Sequence, residues 1–196
     1  MDTPTTQEKF ISADAFWELM QTPEYADRDV ELLNGVIIER GEFSMSRPAA
    51  LHGVVAASIT HYLFGFVKSE DSGFVTIESG YILLVNPDGQ DTVVGPDVAF
   101  IRRERLPDGL PAGHIPMPPD FAVEISSPND TIHKISEKVA AYLKAGTAIV
   151  WVVNPDFQTV TVHYPGTIAA YDINGVLDGG DVLPGFTLPV RDIFPA

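Results

Sequence analysis

Apolar positions along this chain recur at two spacings, near 3.6 in some stretches and near 2 in others, and the mixture predicts an α+β (mixed α/β) fold. Residues 12–20, SADAFWELM, set a serine before an apolar stripe and predict a short helix with a Ser N-cap, closed ahead of Pro23. The runs VELL and VIIE flank Asn34-Gly35, a dipeptide that favours the tight turn of a β-hairpin. After Pro48, residues 49–68 carry Leu51, Val55, Ile59, Tyr62, Leu63 and Phe66 at helical spacing, a second amphipathic helix. Residues 73–85, GFVTIESGYILLV, read as one strand or two, and Pro87-Asp88-Gly89 as a turn.

The second half is patterned more densely. Strands are expected around Asp97 and around Glu124, separated by a Pro-rich loop over residues 106–119. A helix over residues 131–145 is stopped by Gly146, and AIVWVV (148–153) is a continuous buried strand ended by Asn154-Pro155. TVTVHY (159–164) alternates in the period of a half-exposed strand, and the tail holds short strand-like pieces, LPGFTLPV among them. Strand, helix, strand over residues 120–153 makes a βαβ-like core on which a site can be mounted. There is no internal repeat, and the 196 residues suit a single domain spanning 1–196.

Composition narrows the class. With 45% hydrophobic and 20% charged residues the chain is globular in type, and 16 Gly with 16 Pro imply many turns. No run reaches the roughly 18 uninterrupted apolar residues of a membrane span, and residues 1–9 lack a basic-then-apolar export signal, so a cytoplasmic protein with no membrane partner is expected. The absence of cysteine excludes disulfides and thiolate metal sites. A formal net charge of −15 weighs against nucleic-acid binding, which relies on Lys and Arg neutralising phosphates. Six of the 12 basic residues nevertheless flank the two unusual acids: Arg102, Arg103 and Arg105 after Asp97, and Lys134, Lys138 and Lys144 after Glu124. Charge pattern alone reads the three arginines as a solvated strand exit.

Those acids carry the candidate chemistry. Asp97 stands in GPDVAFI and Glu124 in FAVEI, each inside an apolar segment, and burying an ionised carboxylate without compensation costs several kcal/mol, roughly. Carboxylate, carboxylate, lysine in that order is an arrangement that holds a divalent metal and stabilises a phosphoryl-transfer transition state. Taken singly, each has a plainer use: Asp97 can close a turn, Glu124 can pair with a buried Arg, and Lys138 can be a solvated helix residue. On the helix, Ile132, Ile135, Val139, Tyr142 and Leu143 define the expected buried face; Lys138 lies roughly 90° from its centre, close enough to snorkel to a strand end, while Lys134 and Lys144 point further out. His61, His114, His133 and His163 show no HxH or HExxH spacing, and no GxGxxG, Walker-A or GxSxG motif is present.

The ordered set GPDVAFI, FAVEISSPND, EKVAAYLKAG with Lys138 and Tyr142, IVWVVNPD and LPGFTL resembles the Uma2-type endonuclease family, a branch of the PD-(D/E)xK restriction-endonuclease-like superfamily. The hairpin with Glu31 and the position of His52 resemble that family's N-terminal half, so the likeness runs from about residue 12 to 194. It implies a restriction-endonuclease-like core, a central mixed sheet flanked by helices, and a metal-dependent endonuclease acting on nucleic acid, DNA in the first instance. It implies Mg²⁺ (or Mn²⁺) held by Asp97, Glu124 and the carbonyl of Ile125, with Lys138 as the catalytic lysine, Glu31 as a further acid, and His52 as a peripheral polar group. The superfamily's lysine usually follows the second acid by two residues; here that position is Ser126, and Lys138 on the helix is the matching residue. Arg102, Arg103 and Arg105 are expected to form a basic track beside the site. A homodimer is expected, joined through exposed apolar pieces at residues 182–189 and at Ile193-Phe194. A noncatalytic partner-binding module on the same scaffold is the rival, favoured by the net charge, and hydrolysis of another phosphate ester is a third reading.

Overall fold

The computed structural model describes residues 10–25, 28, 30–39, 50–86, 90–127 and 130–195. Helix α1 (Ala13–Met20) starts where Ser12 Oγ accepts the Ala15 amide at 3.2 Å, and ends at Gln21 ahead of Pro23. Strands β1 (Val30–Leu33) and β2 (Val36–Glu39) form the expected hairpin. Asn34 and Gly35 both take positive φ, 49° and 78°, the turn whose twist matches that of the strands it joins. Helix α2 (Ala50–Glu70) leads into β3 (Gly73–Ile77), and β4 (Tyr81–Leu84), β5 (Thr92–Val94) and β6 (Val98–Arg102) follow. Strand β7 (Phe121–Ile125), helix α3 (Ile132–Ala145) and β8 (Ile149–Asn154) form the βαβ unit, with β7 and β8 parallel. The chain closes through β9 (Thr159–Tyr164), β10 (Thr167–Tyr171), β11 (Val176–Asp178) and β12 (Thr187–Pro189).

Two larger sheets organise these strands. One has the order β2-β1-β5-β4 and the other β10-β9-β8-β7-β6-β3; β11 and β12 pair separately. Alternation along β6, β7 and β8 divides the six-stranded sheet into two faces. Val98, Phe100, Phe121, Val123, Ile125, Trp151 and Val153 turn towards α2, whose Val55, Ile59, Leu63 and Val67 are buried against them. Ala99, Ile101, Ala122 and Val150 turn the other way, into a second core with Val139 and Tyr142 of α3 and with Tyr81 and Leu83 of β4. The sheet therefore lies between α2 and α3, a mixed sheet flanked by helices.

Three expectations are corrected. On α2 the buried stripe is narrower than the apolar spacing suggests: Leu51, Val54, Tyr62 and Phe64 are exposed, because one sheet face covers only one side of a 21-residue helix. By length and composition this helix is also apolar enough to cross a bilayer. On α3, Ile132 is 86% exposed, since the first turn projects beyond the sheet it packs on. The tail pieces proposed as an exposed interface are instead core: Val182, Leu183, Phe186, Leu188, Val190, Ile193 and Phe194 are all buried in the α2-side cluster. They complete the monomer's own interior, which removes the surface on which the homodimer was argued. The turn expected at Pro87-Asp88-Gly89, and Pro48 with Ala49, lie outside the described residues.

Candidate functional site

Glu124 sits where the two halves of the fold meet. Its neighbours Val123 and Ile125 point into the α2-side core, so strand alternation sends Glu124 to the α3 side with Ala122. Helix α3 meets it with two side chains one turn apart, Lys138 and Tyr142, which share a helix face at the i, i+4 spacing. Lys138 Nζ donates to Glu124 Oε2 at 2.7 Å, and Tyr142 Oη donates to Glu124 Oε1 at 2.7 Å. One helix thus addresses each oxygen of a carboxylate that is only 8% exposed. Charge-assisted hydrogen bonds of this length are the strong ones and offset part of the cost of burial.

The other acids arrive from different elements. Glu31 lies on β1 in the smaller sheet, and its Oε1 accepts both Lys138 Nζ at 3.0 Å and the backbone amide of Gly95 at 3.0 Å. Asp97 stands one residue ahead of β6. The register Val98↔Val123 leaves it a step past the β6–β7 ladder, across from Glu124. Its Oδ2 accepts the Ile125 amide at 2.6 Å, so this carboxylate caps the exit of β7. His52, in the first turn of α2, brings Nε2 to 3.5 Å from the same oxygen. Asp97, Glu31 and Glu124 are all buried, and Lys138 is only 12% exposed.

Glu31, His52, Asp97, Glu124, Ile125 and Lys138, six residues expected from sequence, are therefore gathered together. The three arginines are not. Arg102 ends the strand that Asp97 precedes, roughly 17 Å away at about 3.3 Å per residue. There Arg105 pairs with Asp120 at 3.1 Å, Arg102 lies 3.8 Å from the same carboxylate, and Arg103 binds Asp71 at 2.6 Å. The expectation of a basic track beside the acids is corrected: antiparallel pairing puts the two features at opposite ends of β6, and acids meet the arginines there. Arg102 and Arg103 line a cleft of about 590 Å³ with Asp71, Ser72 and Asp181 at that far end.

Sequence reasoning placed Tyr142 in the core and missed its hydroxyl as a partner of Glu124. The signal was the four-residue spacing from Lys138, which puts both on one helix face. The Gly95 amide left no side-chain signal at all.

The donor set is hard oxygen, already turned on a positive charge in the form of the Lys138 ammonium, and it fits a divalent cation such as Mg²⁺. Among the described residues no three His, Asp or Glu side chains are placed to hold an ion together. Mg²⁺ commonly takes one or two carboxylates and keeps waters or substrate oxygens in its remaining positions. Asp97 and Glu124, facing each other across two strands, are the residues that would hold it.

Comparison with known proteins supplies the context. The family model Uma2, described as "Putative restriction endonuclease", matches residues 16–191. A crystal structure described as a "putative nuclease belonging to DUF820" from Anabaena variabilis superposes with a TM-score of 0.77 at 23% identity, over 94% of this chain and 97% of that one. This likeness shows the fold, a restriction-endonuclease-like core. No curated protein matches the chain.

Proposed function

This chain belongs to the Uma2 family, and from that premise we propose that it is a metal-dependent endonuclease hydrolysing phosphodiester bonds of nucleic acid, with DNA as the substrate. Family membership supports a nuclease-like role in general. The observation that carries the finer reading is the division of Glu124 between Lys138 and Tyr142 opposite Asp97.

In this reading Asp97, Glu124 and the Ile125 carbonyl hold Mg²⁺ or Mn²⁺, which when bound neutralises phosphate charge and lowers the pKa of a water. The chain's own residues do the rest. Tyr142 fixes the Glu124 carboxylate. The Ile125 amide fixes that of Asp97, and the His52 imidazole flanks it at 3.5 Å. Lys138 places a cation where negative charge grows on the attacked phosphate, and preorganised charge of this kind is commonly the largest catalytic contribution. Glu31 holds the ammonium from its other side.

A noncatalytic module on the same scaffold is the second reading, favoured by the net charge of −15, which repels nucleic acid at long range. A divalent-ion titration followed by a cleavage screen over single- and double-stranded DNA and RNA separates the two. Metal-dependent cleavage that is lost in Glu124→Gln supports the nuclease. An ion that binds with no cleavage of any substrate supports the module.

A further inference from the structure

The Lys138 ammonium rests between two buried carboxylates, 2.7 Å from Glu124 Oε2 and 3.0 Å from Glu31 Oε1. We propose that this is a cation position for which Lys138 and a divalent ion compete, so that the lysine holds the site in the metal-free protein and leaves it when the ion enters. The inference rests on the reading of Glu124 as a metal ligand and goes beyond it, by giving Glu31 and Lys138 a part in admitting the ion.

Tyr142 donates to the Oε1 of Glu124, and the Oε2 is the oxygen turned on the ammonium. An ion drawn to that Oε2 meets Lys138 in the same place, and two cations against one oxygen in a buried setting repel strongly. The oxygens also stand at ammonium distance. Mg²⁺ binds oxygen at about 2.1 Å, so the Glu124 carboxylate would draw in by somewhat under 1 Å when the lysine is replaced.

Lys138 can move without refolding. It sits on α3 with 12% of its side chain at the surface, so a change of rotamer can carry the ammonium outward. From there the ammonium would be free to reach a bound phosphate. One residue fills the site while it waits and acts on the substrate once the site is loaded.

The test is calorimetric titration of Mn²⁺ into metal-free wild type and Lys138→Met. Removal of the competitor should tighten binding at least tenfold. Equal or weaker binding by the variant overturns the exchange while leaving the metal site intact. Absence of binding by both proteins overturns the metal reading itself, a different pattern of heats. Should Lys138→Met fail to fold, the wild type decides the matter alone. In ¹⁵N-labelled protein the Lys138 ammonium resonance is expected to be protected from exchange without metal and to lose that protection at saturating Mg²⁺. An unchanged resonance at saturation overturns the proposal.

Discussion

Replacing Tyr142 by Phe removes one oxygen from the interior and leaves the ring in place. The residue is fully buried, so packing of α3 on the sheet is kept and the loss is confined to the hydrogen bond to Glu124 Oε1. A hydrogen bond to a charged group contributes about 1.5–3 kcal/mol, and the deserted oxygen has little access to water in a side chain 8% exposed. We expect a loss of about 2 kcal/mol in urea unfolding at neutral pH. For a chain of this length that is a fall in Tm of about 4–8 °C. The control is the same substitution in a Glu124→Gln background, where the carboxylate charge is gone and the effect should shrink by half or more. A change under about 0.5 kcal/mol in the wild-type background, or an equal loss in both backgrounds, would refute the claim that the hydroxyl acts through the carboxylate.

Other expectations are simpler to state. Asp97→Ala should abolish the heat of Mg²⁺ or Mn²⁺ binding in calorimetry, and heats equal to wild type remove Asp97 from the site. Lys138→Ala should lose turnover by a factor of about 10² or more while still binding metal, whereas Lys134→Ala, exposed on the first turns of α3, should cleave at the wild-type rate. Equal losses in a cleavage assay would show that helix position does not select the lysine. His114, packed against Phe16 and Trp17, has its pKa lowered by burial. The folded protein then binds fewer protons than the unfolded chain as pH falls through about 6.5, so this group's contribution is full above that pH and is lost as pH falls through its lowered pKa. Tm measured between pH 7 and 5 should decline less steeply in His114→Phe, and parallel curves would exclude His114 from the acid limb.

Sequence patterning made the βαβ unit legible because its signals are local: Gly146 takes φ 106° at the end of α3, Thr131 caps its start, and the apolar run of β8 has one length and one fate. The Asn34-Gly35 hairpin was legible for the same reason. The tail was misread since LPGFTLPV states that a segment is apolar and not what covers it, and α2 turned out to be the cover. In the site, Asp97 and Glu124 stood out as acids in apolar strands. Glu31 carried no such mark, because its place depends on an amide 64 residues away at Gly95. The arginines were misplaced by treating nearness in sequence as nearness in space, when five residues of strand span the width of the sheet.

The order of synthesis bears on when the cluster can assemble. Positions 31, 52, 97, 124 and 138 leave the ribosome in that order, and only 124 and 138, on one strand and the helix that follows it, are near neighbours along the chain. At about 5–20 residues per second, roughly 5–20 s separate synthesis of Glu31 from that of Lys138. Throughout that interval the acids made first lack the helix that donates to both oxygens of Glu124. A growing chain therefore carries the carboxylates of the cluster before their partners, and the last to arrive are Lys138 and then Tyr142, the two donors that close on Glu124.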